Sequence, residues 1–179
     1  MAKIIFISGG ARSGKSSFAQ QYAARVDSQV LYIATAVAFD EEMAARIAKH
    51  KEDRPTLWRT VEAPIGVDRV LARAAEPVAL LDCLTILINN ILWPLWQEDD
   101  DNRNLSSMEN TVMAAVDGIL NTDYQGILII VSNELGMGLV PENSLARFFR
   151  DMAGWANQRI AACADEVYFM VSGIPMRIK

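Results

Sequence analysis

At 179 residues the chain has the length of one domain with a full core of its own. It is 51% hydrophobic with a formal charge of -5, which is ordinary for a globular protein and the wrong sign for a general nucleic-acid binder. No charged run followed by a long apolar stretch opens the sequence, so no secretory signal is expected and a cytoplasmic protein is.

The first predicted strand is residues 3–8, built on the apolar run Ile4-Ile5-Phe6-Ile7. Directly after it stands Gly9-Gly10-Ala11-Arg12-Ser13-Gly14-Lys15-Ser16, which fits G-x-x-x-x-G-K-[ST]. A helix-like stretch, 16–25, follows. Strand, glycine loop and helix are the context in which this pattern binds phosphate. Gly9 and Gly14 let the backbone curl so that its N–H groups face phosphate oxygens. The helix adds its positive N-terminal end. Lys15 would reach the β- and γ-phosphates and the Ser16 hydroxyl would ligate Mg²⁺. The loop predicts binding of a nucleoside triphosphate.

A second strand is expected at 30–34 and a helix at 41–51. His50, the single histidine, lies on that helix. Glu42, Arg46 and His50 are spaced to share one face, beside an apolar stripe of Met43 and Ile47. Lys49, Lys51 and Arg54 are close in sequence. On periodicity alone His50 is either an exposed bystander or part of a positive cluster that steadies a triphosphate. A helix is expected at 67–74 and a strand at 78–82, ending in Asp82. Nucleotide enzymes with this loop need an acid at a neighbouring strand end to hold Mg²⁺. Asp82 fits that place, although it would also serve as a helix N-cap. Glu62 and Glu134 are the other candidates.

Helix 85–92 comes next, within an apolar segment, 84–96, that is too short to span a membrane and contains Asn89, Asn90 and Pro94. The acidic stretch 98–101 reads as a solvated loop. A helix at 108–120, a strand at 126–131, a helix at 144–164 and a strand at 166–171 complete the alternation. The tail 172–179 would turn at Gly173 and add a short edge strand. Most of the strands are continuous apolar runs, the pattern of strands buried on both faces of a parallel sheet. The expected fold is α/β, a P-loop NTPase with a RecA-like, mostly parallel sheet flanked by helices, in one nucleotide-binding domain over 1–179. Cys83 and Cys163 read as reduced, buried thiols, and no Cys/His cluster has zinc-ligand spacing.

Several linked motifs, in order, carry a resemblance over essentially the whole chain. After the glycine loop come Tyr32-Ile33-Ala34-Thr35, Asp40 to Ile47 with His50, and Arg54-Pro55. Trp58 to Pro64, Leu81-Asp82-Cys83-Leu84-Thr85, Ser132 to Glu142, and Arg147 to Asp151 with Asn157-Gln158 follow. In these the chain resembles the bifunctional adenosylcobinamide kinase / adenosylcobinamide-phosphate guanylyltransferase family of cobalamin biosynthesis. The resemblance implies two activities. One phosphorylates the aminopropanol hydroxyl of adenosylcobinamide with ATP or GTP. The other joins GMP from GTP to adenosylcobinamide phosphate, giving adenosylcobinamide-GDP and pyrophosphate.

The resemblance makes His50 the nucleophile that becomes GMP-histidine, with Lys15 as the second catalytic residue. Gly9, Gly10, Ala11, Arg12, Ser13, Gly14, Lys15 and Ser16 would cradle the triphosphate. Ala34, Thr35 and Ala36 would lie along the nucleotide. Lys51, Glu52, Asp53 and Arg54, with Glu62 and Asp82, would complete the guanylyl-transfer site. Ser16 and Asp82 would hold Mg²⁺. Asn133, Glu134, Arg147 and Arg150 would either join the site or serve structure. The resemblance also implies a homotrimer, and neither nucleic acid nor a membrane as partner; the apolar segment 84–96 would serve either a subunit contact or a monomer's own core. A small-molecule kinase with His50 idle, or a RecA-like ATPase or nucleotide-gated interaction module, would share the loop. No N-K-x-D sequence marks a regulatory GTPase, so guanine preference rests on the resemblance.

Overall fold

The computed structural model describes residues 2–38, 41, 44, 48, 51, 54–97 and 104–179. Of the expected helix 41–51, Glu41, Ala44, Ala48 and Lys51 are described, and all four are helical and exposed. Glu42, Met43, Arg46, Ile47, Lys49 and His50 lie outside the described residues, as do Glu52, Asp53 and the acidic stretch 98–101.

The described elements are β1 (Lys3–Gly9), α1 (Lys15–Val26), β2 (Val30–Ala34), β3 (Arg59–Glu62) and α2 (Val67–Leu71). Then come β4 (Val78–Asp82), α3 (Leu84–Gln97), α4 (Leu105–Leu120) and β5 (Ile127–Asn133). The chain closes with α5 (Ser144–Cys163), β6 (Glu166–Val171) and β7 (Ile174–Arg177). They form one seven-stranded sheet in the order β3-β2-β4-β5-β1-β6-β7. Every neighbouring pair is parallel except β6 and β7, which form an antiparallel hairpin at the edge. This is the expected α/β architecture.

Both faces of the inner strands β1, β2, β4 and β5 are covered, which is why the middle of each is an unbroken apolar run. On one face Ile4, Phe6, Leu31, Ile33, Leu81 and Ile130 pack against α2, α3, α4 and α5. On the other Ile5, Ile7, Val30, Tyr32, Leu80 and Val131 pack against α1 and Trp58. Successive residues of one strand thus enter different cores.

Strands 30–34, 78–82 and 166–171 have the expected bounds. The sequence reading missed β3, whose four residues are mostly exposed and include one aliphatic side chain, Val61. An edge strand of that kind carries no apolar run. Helix α3 extends five residues past its expected end and contains Pro94. Loss of a helix bond at proline costs about 3 kcal/mol, but Leu92 is buried, and Leu95 and Trp96 pack on the core beyond it. Cys83 is buried as expected, whereas Cys163 is exposed because it is the last residue of α5, where the helix leaves the core.

Candidate active site

Loop 9–16 leaves the carboxyl end of β1, which lies between β5 and β6. A Cβ on Gly9 would sit 2.7 Å from Ser13 Oγ and 2.8 Å from the Met170 carbonyl oxygen, so a side chain has no room there. Arg12 (φ 58) and Gly14 (φ 89) both take left-handed backbone conformations. For arginine that costs on the order of 1 kcal/mol, and such strain gathers at ligand clamps. Gly14 is the N-cap of α1 and offers no side chain to the first-turn N–H groups. Those donors suit an anion. Lys15 is 9% exposed, and its Nζ donates to the Gly10 carbonyl at 3.0 Å. Burial lowers the pKa of its ammonium, partly opposed by Cys83 and Asp82.

Asp82 ends β4 beside the first turn of α1. Ser16 Oγ donates to Asp82 Oδ1 at 3.3 Å, and the Tyr32 hydroxyl donates to Oδ2 at 2.7 Å. The structure thus brings together the two residues expected to hold a metal. Thr35 is fully buried; its Oγ1 donates to the Cys83 carbonyl and accepts from the Cys83 N–H, both at 2.8 Å. Its hydroxyl is therefore committed to joining the ends of β2 and β4. Asn90 Nδ2 donates to the carbonyls of Thr35 (2.9 Å) and Pro64 (3.0 Å), fixing the same loop from α3. Ala34 is buried and Ala36 half-buried. Burial, followed by the field of Asp82, pushes the Cys83 thiol up to about 12, which leaves it inert at neutral pH.

Ala34 pairs with Glu62 on one side and Asp82 on the other, so the two carboxylates end strands that flank β2. Glu62 is exposed and accepts from Lys51 Nζ at 2.5 Å, a bond that holds its carboxyl below the usual range. The Arg54 guanidinium lies 3.6 Å from the centroid of the Tyr32 ring, and Trp58 stacks with the same tyrosine at 6.4 Å. Lys51, Arg54, Glu62 and Asp82 therefore line one side of the sheet's carboxyl end.

Asn133 pairs with Gly9, and the Glu134 N–H donates to the Gly9 carbonyl at 2.9 Å. Glu134 thus sits beside the loop, with its Oε1 on the Gly136 N–H. A cavity of about 310 Å³ opens between residues 10–13, Glu134, Met137 and residues 169–172. Arg147 donates to the carbonyls of Pro141 and Glu142, and Arg150 to that of Leu139. These two arginines hold a loop together. A larger cavity, about 620 Å³, lies at the opposite end of the strands among residues 74–77 and 123–127, with no residue of the glycine loop in its walls.

Tyr32 carried no assigned role in the sequence reading, although a signal was there. It is the polar-tipped residue in Val30-Leu31-Tyr32-Ile33-Ala34, and a buried tyrosine hydroxyl needs a partner. Asn90 carried no comparable signal, because its two acceptors are backbone carbonyls distant in sequence.

A family model described as cobinamide kinase / cobinamide phosphate guanyltransferase matches residues 5–178. The bifunctional adenosylcobalamin biosynthesis protein CobU of Salmonella typhimurium is 43% identical over 181 residues, covering 98% of this chain and 99% of that protein. Its Escherichia coli K12 counterpart is 42% identical with the same coverage. The bifunctional adenosylcobalamin biosynthesis protein CobP of Pseudomonas aeruginosa is 41% identical, covering 97% of this chain and 95% of that protein. A prototypical ATPase from the type III secretion system of pathogenic bacteria is similar in fold, at a TM-score of 0.50 and 10% identity. That likeness covers 93% of this chain, which spans half the length of the ATPase chain.

Proposed function

The chain belongs to the cobinamide kinase / cobinamide phosphate guanyltransferase family, and from that membership we propose a two-step reaction run from the glycine loop. In the first step the aminopropanol hydroxyl of adenosylcobinamide attacks the γ-phosphorus of ATP or GTP. The bond from that phosphorus to the bridging oxygen breaks, the nucleoside diphosphate leaves and the hydroxyl proton is released. In the second step an imidazole nitrogen of His50 attacks the α-phosphorus of GTP and pyrophosphate leaves. A phosphate oxygen of adenosylcobinamide phosphate then attacks the same phosphorus and the P–N bond breaks, which yields adenosylcobinamide-GDP and frees His50. Dividing one displacement into two through a covalent intermediate makes each step easier than the single one.

The observation that carries this reading is the geometry of Lys15, Ser16 and Asp82 around a loop whose α1 N-terminus is uncapped. Gly9 to Ser16 bind the phosphates, and the Lys15 ammonium offsets charge that builds on them during transfer. Ser16 and Asp82 present hard oxygen donors 3.3 Å apart, which fits Mg²⁺. Among the described residues no group of three His, Cys, Asp or Glu side chains could hold a metal unaided. Mg²⁺ bound there supplies Lewis-acid stabilisation of the phosphates. Ala34, Thr35 and Ala36 would contact the nucleotide through backbone and methyl groups, given that the Thr35 hydroxyl is spent on Cys83. Lys51, Glu52, Asp53, Arg54 and Glu62 belong to the guanylyl-transfer side. The whole chain, 1–179, acts as one domain, assembles as a homotrimer and works in the cytoplasm, where its nucleotides are made; cell fractionation tests that last point.

Incubation with Mg²⁺ and GTP labelled at the α-phosphate, followed by denaturation, tests the mechanism. The expected label stays on the protein, survives alkali, is lost in acid and is missing from His50→Ala. Protein that binds the nucleotide yet stays unlabelled would rule out the histidine route and leave the kinase step alone.

A further inference from the structure

The Asp82 carboxylate is held from two sides, and the two contacts are unequal. The Ser16 bond is long for an O–H···O contact at 3.3 Å, whereas the Tyr32 bond is short at 2.7 Å. A loosely held Ser16 hydroxyl can turn to another ligand, while Tyr32 keeps the carboxylate in place. Tyr32 is itself enclosed, being 2% exposed in the middle of an otherwise aliphatic strand. Its ring carries the Arg54 guanidinium at 3.6 Å and stacks with Trp58 at an interplanar angle of 28°. Arg54 rests on that ring: its Nε is buried without a hydrogen-bond partner, its contact to Thr60 Oγ1 is 3.4 Å long, and its charge also acts on Glu62. A guanidinium this near an aromatic face is held by the ring quadrupole.

We propose that Tyr32 is a positioning residue of this site: its hydroxyl orients the Asp82 carboxylate toward Ser16, and Arg54 braces its ring in that pose. Tyr32 touches no reacting atom and acts through Asp82. One side chain thereby joins the metal-facing carboxylate to Arg54. This rests on the assignment of Asp82 to Mg²⁺, and the experiment keeps the two apart.

GTP affinity is measured by calorimetry with and without Mg²⁺, and the ratio of the two dissociation constants reports the metal's contribution. Tyr32→Phe keeps the ring and its volume and removes only the donor. We expect that ratio to fall about tenfold, the scale of a hydrogen bond to a charged group, with metal-free affinity changed less than about twofold. A tyrosine that only fills the core would be replaced by phenylalanine with neither affinity moved. That result, or two affinities that fall alike, overturns the proposal. Arg54→Lys keeps the charge and gives up the flat face, and provides a second entry should Tyr32→Phe not fold. Its ratio is expected to fall about two- to threefold, and an unchanged ratio overturns the bracing. Asp82→Asn is expected to abolish the metal's contribution. If it does and Tyr32→Phe does nothing, only the role of Tyr32 falls; if Asp82→Asn keeps the full contribution, both assignments fall.

Discussion

Lys15 pays for its place in the loop. Its ammonium is largely removed from water, and burial is the chief cause of its lowered pKa. Lys15→Met keeps the stem and drops the charge, so stability in urea is expected to hold or rise. Turnover should fall by about 10²–10³, the scale of losing one electrostatic contact to a developing charge. Loss of both together would show that the residue serves packing instead. Thr35 is the opposite case. Its hydroxyl serves both the N–H and the carbonyl of Cys83, next to Asp82. Thr35→Val leaves the buried Cys83 N–H unpaired, while the Cys83 carbonyl keeps the Leu87 N–H, and should cost about 1–3 kcal/mol in urea melts. Thr35→Ser should lose only about 1 kcal/mol, for the missing methyl. Equal losses in the two variants would refute the hydrogen-bond account.

Between elements, one contact that shapes the loop comes from the hairpin at the nearer edge of the sheet. The Gly173 N–H, in the β6–β7 turn, donates to the Ser13 carbonyl at 3.0 Å. A Cβ on Gly14 would come 3.2 Å from Gly173 Cα, in a backbone conformation with φ 89. Gly14→Ala should therefore lose about 1 kcal/mol or more of stability from the left-handed conformation. Gly10→Ala, where a Cβ meets nothing within 4 Å, should change stability little. The opposite edge is tied by charge. Arg59 on β3 binds Glu76 through two bonds, Nε to Oε1 at 2.5 Å and a terminal nitrogen to Oε2 at 3.0 Å. The Arg59 bond is the main cause holding the Glu76 carboxyl below its usual range. A depressed carboxyl stabilises the fold above its unfolded pKa of about 4.3, and the gain fades as pH falls through the folded value. Glu76→Gln should thus cost about 1 kcal/mol at pH 7, with the deficit closing below about pH 4. A deficit that persists in acid would mean that the loss is one of packing.

The same elements show what the sequence could reveal. Strands β2 and β4 were legible because burial on both faces demands apolar runs, and β6 by the apolar residues that follow Glu166. The glycine loop was legible because its backbone conformations demand glycine at fixed spacing. Strand β3 was hidden because an exposed edge places no such demand on Arg59-Thr60-Val61-Glu62. The early start of α4 was hidden too, in the side chain of Asn104, which caps Ser107 N–H three residues ahead of the apolar pattern. Within the site, Ser16 and Asp82 followed from chemistry that fixes residue type. Tyr32, Thr35 and Asn90 act by reaching across strands, and only the fold brings their partners near.

For the whole molecule, of the two readings of segment 84–96, subunit contact or a monomer's core, Leu84, Leu87, Ile88 and Leu92 follow the second and are buried in the protein's own core. The loop after β5 is a better candidate for the contact. Met137, Leu139 and Val140 are 81%, 96% and 64% exposed. Their backbone is pinned from α5, by Arg150 at Leu139 and by Arg147 at Pro141 and Glu142. Apolar tips on a braced loop suit association better than free solution. In the proposed homotrimer this loop would meet a second copy. Leu139→Asp with Val140→Asp places two charges where a buried contact would form and removes no core side chain. Light scattering after size exclusion should then show a fall from trimer to monomer, with urea stability of the monomer unchanged. Arg150→Ala, which frees the loop without altering its apolar tips, should weaken the assembly less than the double variant. A trimer that survives the double substitution would place the subunit contact elsewhere.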